Sequence, residues 1–315
     1  MFYHARKGWS LPARAATPEA AFLNRRETLA GFAATVGAGL ASNWAIADEA
    51  IRSADLYPAK RNDAFKLDRP VTPEKINLNY NNFYEFTTSK QVDADALRIR
   101  PWTVTIGGLV EKERTWDIDD LVRSIGLEER LYRHRCVEAW SMAIPWSGFP
   151  LRALVERAKP LGSAKYVRFE SFLDKKMAPG QRSFMPWPYV EGLTMAEATH
   201  DLAFVATGAY GKSISKVQGA PIRVAIPWKY GFKSAKSIVR ITFVEKEPET
   251  FWANLGPTEY GFWANVNPDV PHPRWSQASE TDLTTGERRP TIIYNGYGEL
   301  VAGLYRGLEK EPLFM

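Results

Sequence analysis

A single cysteine, Cys136, sets the first limit on this chain of 315 residues. Without a second thiol no intrachain disulfide can form, so a hydrophobic core must hold the fold. The means are present: 45% of the residues are hydrophobic, with 11 Trp, 13 Tyr and 16 Phe among the ring-bearing side chains. That content excludes a disordered chain, and the length fits one large domain or two modest ones. Four histidines beside one cysteine argue against a metal cage built from several His and Cys ligands. In an exported protein a leftover thiol is a bridge to another chain, a reactive group or a metal ligand.

Export is what the N-terminus predicts. Residues 1–47 carry Arg6, Lys7, Arg14, Arg25 and Arg26 against Glu19 and Glu27, followed by a Gly/Ala-rich apolar run from Leu29 to Leu40. Ala45-Ile46-Ala47 then supplies a small-x-small exit, completing the pattern of a secretory signal peptide. Arg25-Arg26, with Asn24 before and Leu29 after, resembles the twin-arginine type, although Thr28 stands where that pattern usually has Phe. An uncleaved anchor over residues 29–47 is disfavoured by three glycines, Ser42 and Asn43. Twin-arginine export carries folded proteins, which points to a cofactor inserted before transport, and the expected destination is the periplasm.

The leader also explains the charge. The whole chain has a net charge of +5, which invites a nucleic-acid reading. Removing residues 1–47 takes away five basic and two acidic side chains and leaves +2. No zinc-finger spacing, basic helix or repeat supports a nucleic-acid partner.

Beyond the leader, residues 48–75 are polar, contain Pro58, Pro70 and Pro73, and read as an extended lead-in to a domain spanning 76–315. Strand patterns dominate that domain: Trp102–Ile106 ending at Gly107-Gly108, Tyr166–Phe169, Ile222–Ile226 and Ile238–Phe243. Helical patterns are short. Asp117 is placed to cap a helix through Leu121 and Ile125, 150–157 puts Leu151, Leu154 and Val155 on one face, and Thr194–Glu197 has capping-box spacing. Strands interspersed with short helices predict an α+β fold in one domain. The common nucleotide, zinc-protease, serine-hydrolase and dithiol motifs are absent.

Two segments carry the candidate chemistry. In 133–141, RHRCVEAWS, Arg133, Arg135 and His134 are expected to favour a Cys136 thiolate, the form that ligates metals. If that segment is extended, Glu138 projects to the face of Cys136 and is a candidate proton relay. The alternative is a small, buried, inert cysteine. The second segment, 227–237, PWKYGFKSAKS, is rich in lysine and small residues. Its backbone N–H groups could cradle a phosphate, with the lysines supplying charge; a solvated charged loop has a similar composition.

These and further segments resemble the sulfite-oxidase-like molybdoenzymes, and within them the periplasmic protein-methionine-sulfoxide reductase catalytic subunits. The resemblance is carried by 80–86 (YNNFYEF), 135–141 (RCVEAWS), 188–193 (PYVEGL), 227–233 (PWKYGFK), 260–268 (YGFWANVNP) and 272–278 (HPRWSQA). It implies a molybdenum held by one molybdopterin, with Cys136 as the protein ligand and Asn82 and Glu138 near the metal. It implies that Asn81, Tyr84, Glu85, Ser171, Gln218, Arg223 and the Ser234-Ala235-Lys236 loop bind the pterin or its phosphate. Ser171 replaces a Thr of a related sequence and keeps the hydroxyl, whereas Gln218 replaces an Asn and changes the reach.

The implied fold is the mixed, strand-rich molybdopterin-binding domain without the sandwich dimerisation domain of sulfite oxidases, hence a monomeric catalytic subunit. The implied reaction is oxygen-atom transfer from methionine sulfoxide to reduced molybdenum, repairing oxidised periplasmic proteins, with electrons from a membrane-embedded haem b partner and Glu138 delivering the proton. Two alternatives stand beside it. A sulfite dehydrogenase would run the same centre in the opposite direction and needs clustered cations for its dianion. A cofactor-free exported binding protein would leave Cys136 inert. The aromatics Phe83, Tyr84, Trp140, Trp146, Trp228, Tyr230 and Trp263 suit the neutral sulfoxide, if they are not simply core.

Overall fold

A computed structural model describes residues 50–315, all of which fall in one compact unit. The predicted signal peptide lies outside the described residues. Among the described residues, thirteen mostly short strands and a handful of helices of eight residues or fewer bear out the α+β expectation.

The strands are β1 (Lys60–Arg61), β2 (Thr103–Gly108), β3 (Arg114–Asp117), β4 (Glu128–Cys136), β5 (Trp140–Pro150), β6 (Tyr166–Ser171) and β7 (Val190–Thr194). They continue with β8 (Phe204–Ala209), β9 (Lys212–Ser213), β10 (Arg223–Ala225), β11 (Ile238–Val244), β12 (Ser279–Asp282) and β13 (Arg288–Pro290). One sheet follows the path β3-β2-β11-β6-β7. The other runs β1-β4-β5-β12-β13, with β8 also on β5 and carrying β9 and β10.

The long strand β5 organises the second sheet. One edge pairs with β4 along its whole length; the other meets β12 through Trp140 and Ser141 and β8 from Trp146 to Pro150. Paired on both sides, β5 is buried at every position but its last, and its sequence is accordingly near-continuously apolar. Both sheets contribute to one apolar core, in which Val104, Phe149, Phe169, Phe204 and Phe243 are fully enclosed.

The predicted helix starts hold. Asp117 accepts hydrogen bonds from the N–H groups of Asp119 and Asp120 and caps Ile118–Arg123, which stops before Ile125. Thr194 and Glu197 close a reciprocal capping box on Met195–Ala198. Leu151–Ala158 buries Leu151, Leu154 and Val155.

Two sequence expectations change. Gly107-Gly108 ends β2 as expected, but as its last two residues rather than as a turn beyond it, because the parallel partner β11 pairs with them through Thr242 and Phe243. The lead-in is also bound into the domain rather than standing ahead of it. Strand β1 joins β4, the Thr72 N–H donates to the Ala143 carbonyl at 2.9 Å, and the helix Glu74–Asn79 starts ahead of the expected boundary at residue 76. A stretch without apolar periodicity gave no sign of these backbone pairings.

Candidate active site

Strands β4 and β5 form a hairpin in which Cys136 pairs with Trp140 and residues 137–139 make the turn. Ala139 sits at φ 63°, the left-handed conformation that closes such three-residue loops. Cys136 therefore ends a strand, and Glu138 reaches the same cavity by the turn and not by the extended alternation expected from sequence. The turn is clamped from outside: Trp275 Nε1 and Gln277 Nε2 each donate to the Val137 carbonyl at 2.8 Å. This fixes the one residue between the thiol and the carboxylate, and gives the 272–278 segment a structural task.

The cavity that opens over Cys136 spans about 930 Å³ when the space open to solvent at its mouth is counted. At its floor the Glu138 N–H and Asn82 Nδ2 each donate to Cys136 Sγ at 3.4 Å. Asn82 Nδ2 and Trp140 Nε1 also donate to Glu138 Oε2, at 3.1 and 3.0 Å, and Lys90 forms an ion pair with the same carboxylate. Tyr84 Oη reaches Glu138 Oε1 at 3.5 Å. Burial opposes the charge on Glu138, but hydrogen bonds from Lys90, Trp140 and Asn82 more than offset it and hold the pKa below its ordinary value.

The expected thiolate activation by neighbouring basic residues is not what the structure shows. Burial first, then the charge of Glu138, pushes the Cys136 thiol up to about 12. The reason is strand alternation. Arg133 and Arg135 face away from the cavity, Arg133 to Asp68 and the Asn295 carbonyl, Arg135 to Glu280, Gln277 and Thr291. His134 does face it, yet burial, with Arg223 and Lys236 nearby, lowers its pKa to about 3 and keeps the imidazole neutral. A thiolate here requires a bound cation.

Deeper in the cavity lie Arg223, buried, and Lys236, half-buried. Arg223 donates to the backbone carbonyls of Gln218, Ser234 and Val224, and Lys236 to that of Asn82 at 2.7 Å. Among the described residues neither forms an ion pair with a carboxylate. Burial lowers the pKa of both, to about 10 for Arg223, while the charge of Glu85 acts on Lys236 without ion-pair contact. Two desolvated, uncompensated cations in one cleft are costly unless an anion fills it. Gly219 makes room for this arrangement: at φ 101°, a Cβ there would stand 2.7 Å from Lys236 Cβ.

The other lysines of 227–237 serve a different purpose, which corrects both sequence readings of that loop. Lys229 pairs with Glu197 and Lys233 with Glu191, each at 2.5 Å and with both partners essentially inaccessible. They are neither phosphate ligands nor solvated charges. Only Lys236 reaches the cavity.

Of the residues expected to bind the pterin, Asn81, Tyr84, Glu85, Gln218, Arg223, Ser234 and Lys236 line the cavity. Ser171 and Ala235 do not. The Ser171 hydroxyl donates to the Lys236 carbonyl at 2.6 Å, so it positions the loop. Gln218 is occupied at both ends of its amide, donating to Asn77 Oδ1 at 2.6 Å and accepting from the Ser215 N–H at 3.0 Å. Asn81 Nδ2 is likewise turned to the Asn77 carbonyl.

The residues fit a molybdenum cofactor on their own chemistry. One sulfur donor stands at the cavity floor and two unpaired cations stand where an anionic tail would lie. Among the described residues no group of three His, Cys, Asp or Glu is placed to hold a metal, so an ion on Cys136 would draw its other ligands from an organic group.

The aromatic expectation is half right. Tyr84, Trp140 and Trp146 line the cavity, whereas Phe83, Trp228 and Trp263 are buried core. Sequence reasoning missed Trp252 and overlooked the role of Tyr260, which with Tyr84 form an aromatic series: Tyr84 edge-on to Trp252 at 5.0 Å and Trp252 tilted against Tyr260 at 5.1 Å between ring centroids. It also missed Lys90, which reads as an ordinary solvated lysine; the loop 82–89 folds back so that the Asn81 N–H donates to the Lys90 carbonyl at 2.8 Å.

Comparison with known proteins agrees with this chemistry. Residues 90–252 match the family model described as the oxidoreductase molybdopterin binding domain. The chain is 46% identical to the protein-methionine-sulfoxide reductase catalytic subunit MsrP of Pseudomonas syringae pv. tomato, with 93% of this chain and 94% of that protein covered. It is also 46% identical to the protein of that name from Ralstonia nicotianae, over 98% of this chain and 97% of the relative. Among solved structures, the sulfane dehydrogenase SoxCD of Paracoccus pantotrophus aligns with a TM-score of 0.41 and 18% identity, covering 60% of this chain and 51% of that one. With a cavity floored by one cysteine, two buried cations prepared for an anionic cofactor, and near-full-length relatives of one description, the chain belongs to the protein-methionine-sulfoxide reductase catalytic subunits of the molybdopterin-binding oxidoreductases.

Proposed function

We propose that this chain reduces methionine sulfoxide in exported proteins, working in the periplasm after twin-arginine export directed by residues 1–47 and cleavage near Ala47. Its electrons come from a membrane-embedded haem b partner, and it acts as a monomeric catalytic subunit. The balance is one sulfoxide oxygen, two electrons and two protons giving a thioether and water. The observation that carries the choice of substrate is the setting of Cys136. Among the described residues the cation held against the Cys136–Glu138 floor is Lys90, which is already paired with Glu138, while Arg223 and Lys236 in the same cavity are assigned to the cofactor's anionic tail. A sulfite dianion would meet that carboxylate and a ring-lined wall of Tyr84, Trp252 and Tyr260. A neutral sulfoxide with an apolar stem is suited to both.

When bound, molybdenum-molybdopterin supplies two-electron redox chemistry and an acceptor for the sulfoxide oxygen. Cys136 would hold the metal, with Asn82 and the Glu138 N–H donating to its sulfur and fixing its direction. Arg223, Lys236 and the Ser234 loop would hold the anionic tail. Glu138, poised between Lys90, Trp140 and Asn82, holds a proton-exchange position beside the thiol, its Oε2 at 3.9 Å from Sγ. The rings of Tyr84, Trp252 and Tyr260 keep bulk water off the reacting sulfur.

Purified enzyme from a cofactor-competent host tests this directly. The expected result is about one molybdenum per chain and turnover of methionine sulfoxide far above that of sulfite. Efficient sulfite oxidation without sulfoxide reduction would replace the reading by its nearest rival. For export, Arg25→Lys with Arg26→Lys should leave the precursor in the cytoplasm. Unchanged periplasmic yield would remove the twin-arginine assignment.

A further inference from the structure

A second cavity, about 480 Å³ with its solvent-open mouth counted, opens beside the first and shares Val137, Phe232 and Tyr260 with it. Its walls are mainly apolar: Tyr230, Val270, Pro271, Pro273 and Phe314 stand around the shared residues. Residues 313–315 run along it as an extra strand-like wall, with the Asn265 N–H donating to the Leu313 carbonyl at 3.1 Å and the Ala264 N–H to that of Met315 at 2.5 Å. The opposite side is stiffened by the stacked rings of His272 and Trp275, 3.8 Å apart and 9° from parallel.

Val137 joins the two spaces. Its neighbours Cys136 and Glu138 line the first cavity, and Val137 itself borders both. With the Val137 carbonyl tied down by Trp275 and Gln277, the groove floor stands one residue from the thiol. An extended polypeptide advances about 3.3–3.6 Å per residue, so the residues next to a side chain placed over Cys136 would fall in this groove.

We infer that the groove bounded by Val137, Phe232, Val270 and Pro271 is the subsite for the polypeptide flanking the methionine sulfoxide, favouring an extended segment with an apolar residue beside it. This rests on the sulfoxide-reductase reading and deepens it, because it names where the chain around the methionine sulfoxide is held and which flanking residues are favoured. The occupant is argued from continuity: a groove that opens out of the reaction cavity meets whatever is covalently attached to the reacting side chain. Its lining is apolar, which matches the neighbours of methionines exposed when a protein loosens or unfolds. The rim carboxylate Glu259 is already paired with Arg274 at 2.7 Å, so charge is not what the groove selects.

The test compares two substrates with the holoenzyme, reduced viologen supplying the electrons so that no partner subunit is needed. One is N-acetylmethionine sulfoxide amide. The other is an end-blocked peptide with methionine sulfoxide between leucines. Wild type should prefer the peptide, and Val270→Arg should raise the peptide KM about tenfold with kcat little changed, as loss of uniform binding requires. Turnover of the small substrate should change less than twofold. The exposed position Pro271→Asp, which asks less of the fold, should behave in the same direction.

A methionine-sulfone version of the peptide, which cannot be reduced, gives a readout independent of turnover: fluorescence anisotropy should show it binding wild type and losing affinity on both variants. Equal effects on both substrates, or none on either, would overturn the inference while leaving the reductase reading intact. So would loss confined to turnover driven by a membrane haem b donor, which would assign the groove to that partner. If wild type reduces neither substrate, the reductase reading fails and the groove assignment with it.

Discussion

Within eight residues of the same loop, three lysines drawn into the protein have opposite fates. Lys229 and Lys233 each meet a carboxylate at 2.5 Å, whereas Lys236 and Arg223 meet backbone carbonyls, the faces of Phe83 and Trp146, and the cavity, but no carboxylate. Lys229 and Lys233 are the more deeply buried and Lys236 is only half-buried, so depth of burial does not mark function. What separates them is compensation. A paired buried charge is part of the scaffold, and an unpaired one facing a cavity is waiting for a ligand.

The comparison can be broken on either side. The largest effect is expected at the cavity floor, where Cys136→Ala should lower turnover by about ten-thousandfold, a barrier change of ~5.5 kcal/mol. Its urea-unfolding curve as apoprotein should remain near that of wild type. Retained turnover with bound molybdenum would remove Cys136 as the ligand.

Next comes the scaffold side. Glu197→Gln leaves Lys229 buried without its counter-charge and should cost about 3–5 kcal/mol in urea unfolding. Burial tends to raise the Glu197 pKa, but Lys229, the Thr194 N–H and the Tyr305 hydroxyl more than offset it and the pKa is lowered. Its contribution is thus present above the unfolded-state value near 4.5 and is lost as pH falls through the lowered one, so the variant's deficit should shrink in acid. Glu191 differs: burial prevails over Lys233 and its pKa is raised. Glu191→Gln should therefore cost less at neutral pH, and a larger loss than for Glu197→Gln would contradict the ranking.

On the unpaired side, Arg223→Met should lower molybdenum content at limiting cofactor, with affinity reduced about 10–100-fold. Apoprotein stability should shift by less than ~1 kcal/mol or rise, because a desolvated cation is removed. Marked unfolding of the apoprotein would place Arg223 with the scaffold lysines instead. The smallest effect is expected for Ser171→Ala, which removes one hydrogen bond to the Lys236 carbonyl and should cost about 1 kcal/mol. If it abolished cofactor binding outright, Ser171 would be a direct contact and not a support.

Much of the fold was legible because it is local. Asp117, Thr194 and the period-two runs of β6 and β11 act over a few residues, and each appears where its chemistry places it. The pairing of Lys60–Arg61 with Glu128–Glu129 was not legible, since two polar residues carry no periodicity and the bond is made across 68 positions of sequence. The site divides in the same way. Cys136 and Glu138 were readable from their two-residue spacing, although a turn and not an extended strand brings them together. Lys90 and Trp252 had no such signal, because their roles come from chain reversals that return distant segments to the hairpin tip.

By itself the sequence determined the class of answer. One thiol excluded disulfides, the aromatic and β-branched content required a strand-rich core, and the ordered motifs identified the family, because these are properties of residue type and near-neighbour spacing. Only the tertiary structure decided which charges work. It turned Arg133 and Arg135 away from the thiol, paired Lys229 and Lys233, and left Arg223 and Lys236 facing the cavity without a counter-charge. The physical reason is that a charge's effect depends on its partners and its dielectric surroundings, and both are set by segments far away in the chain.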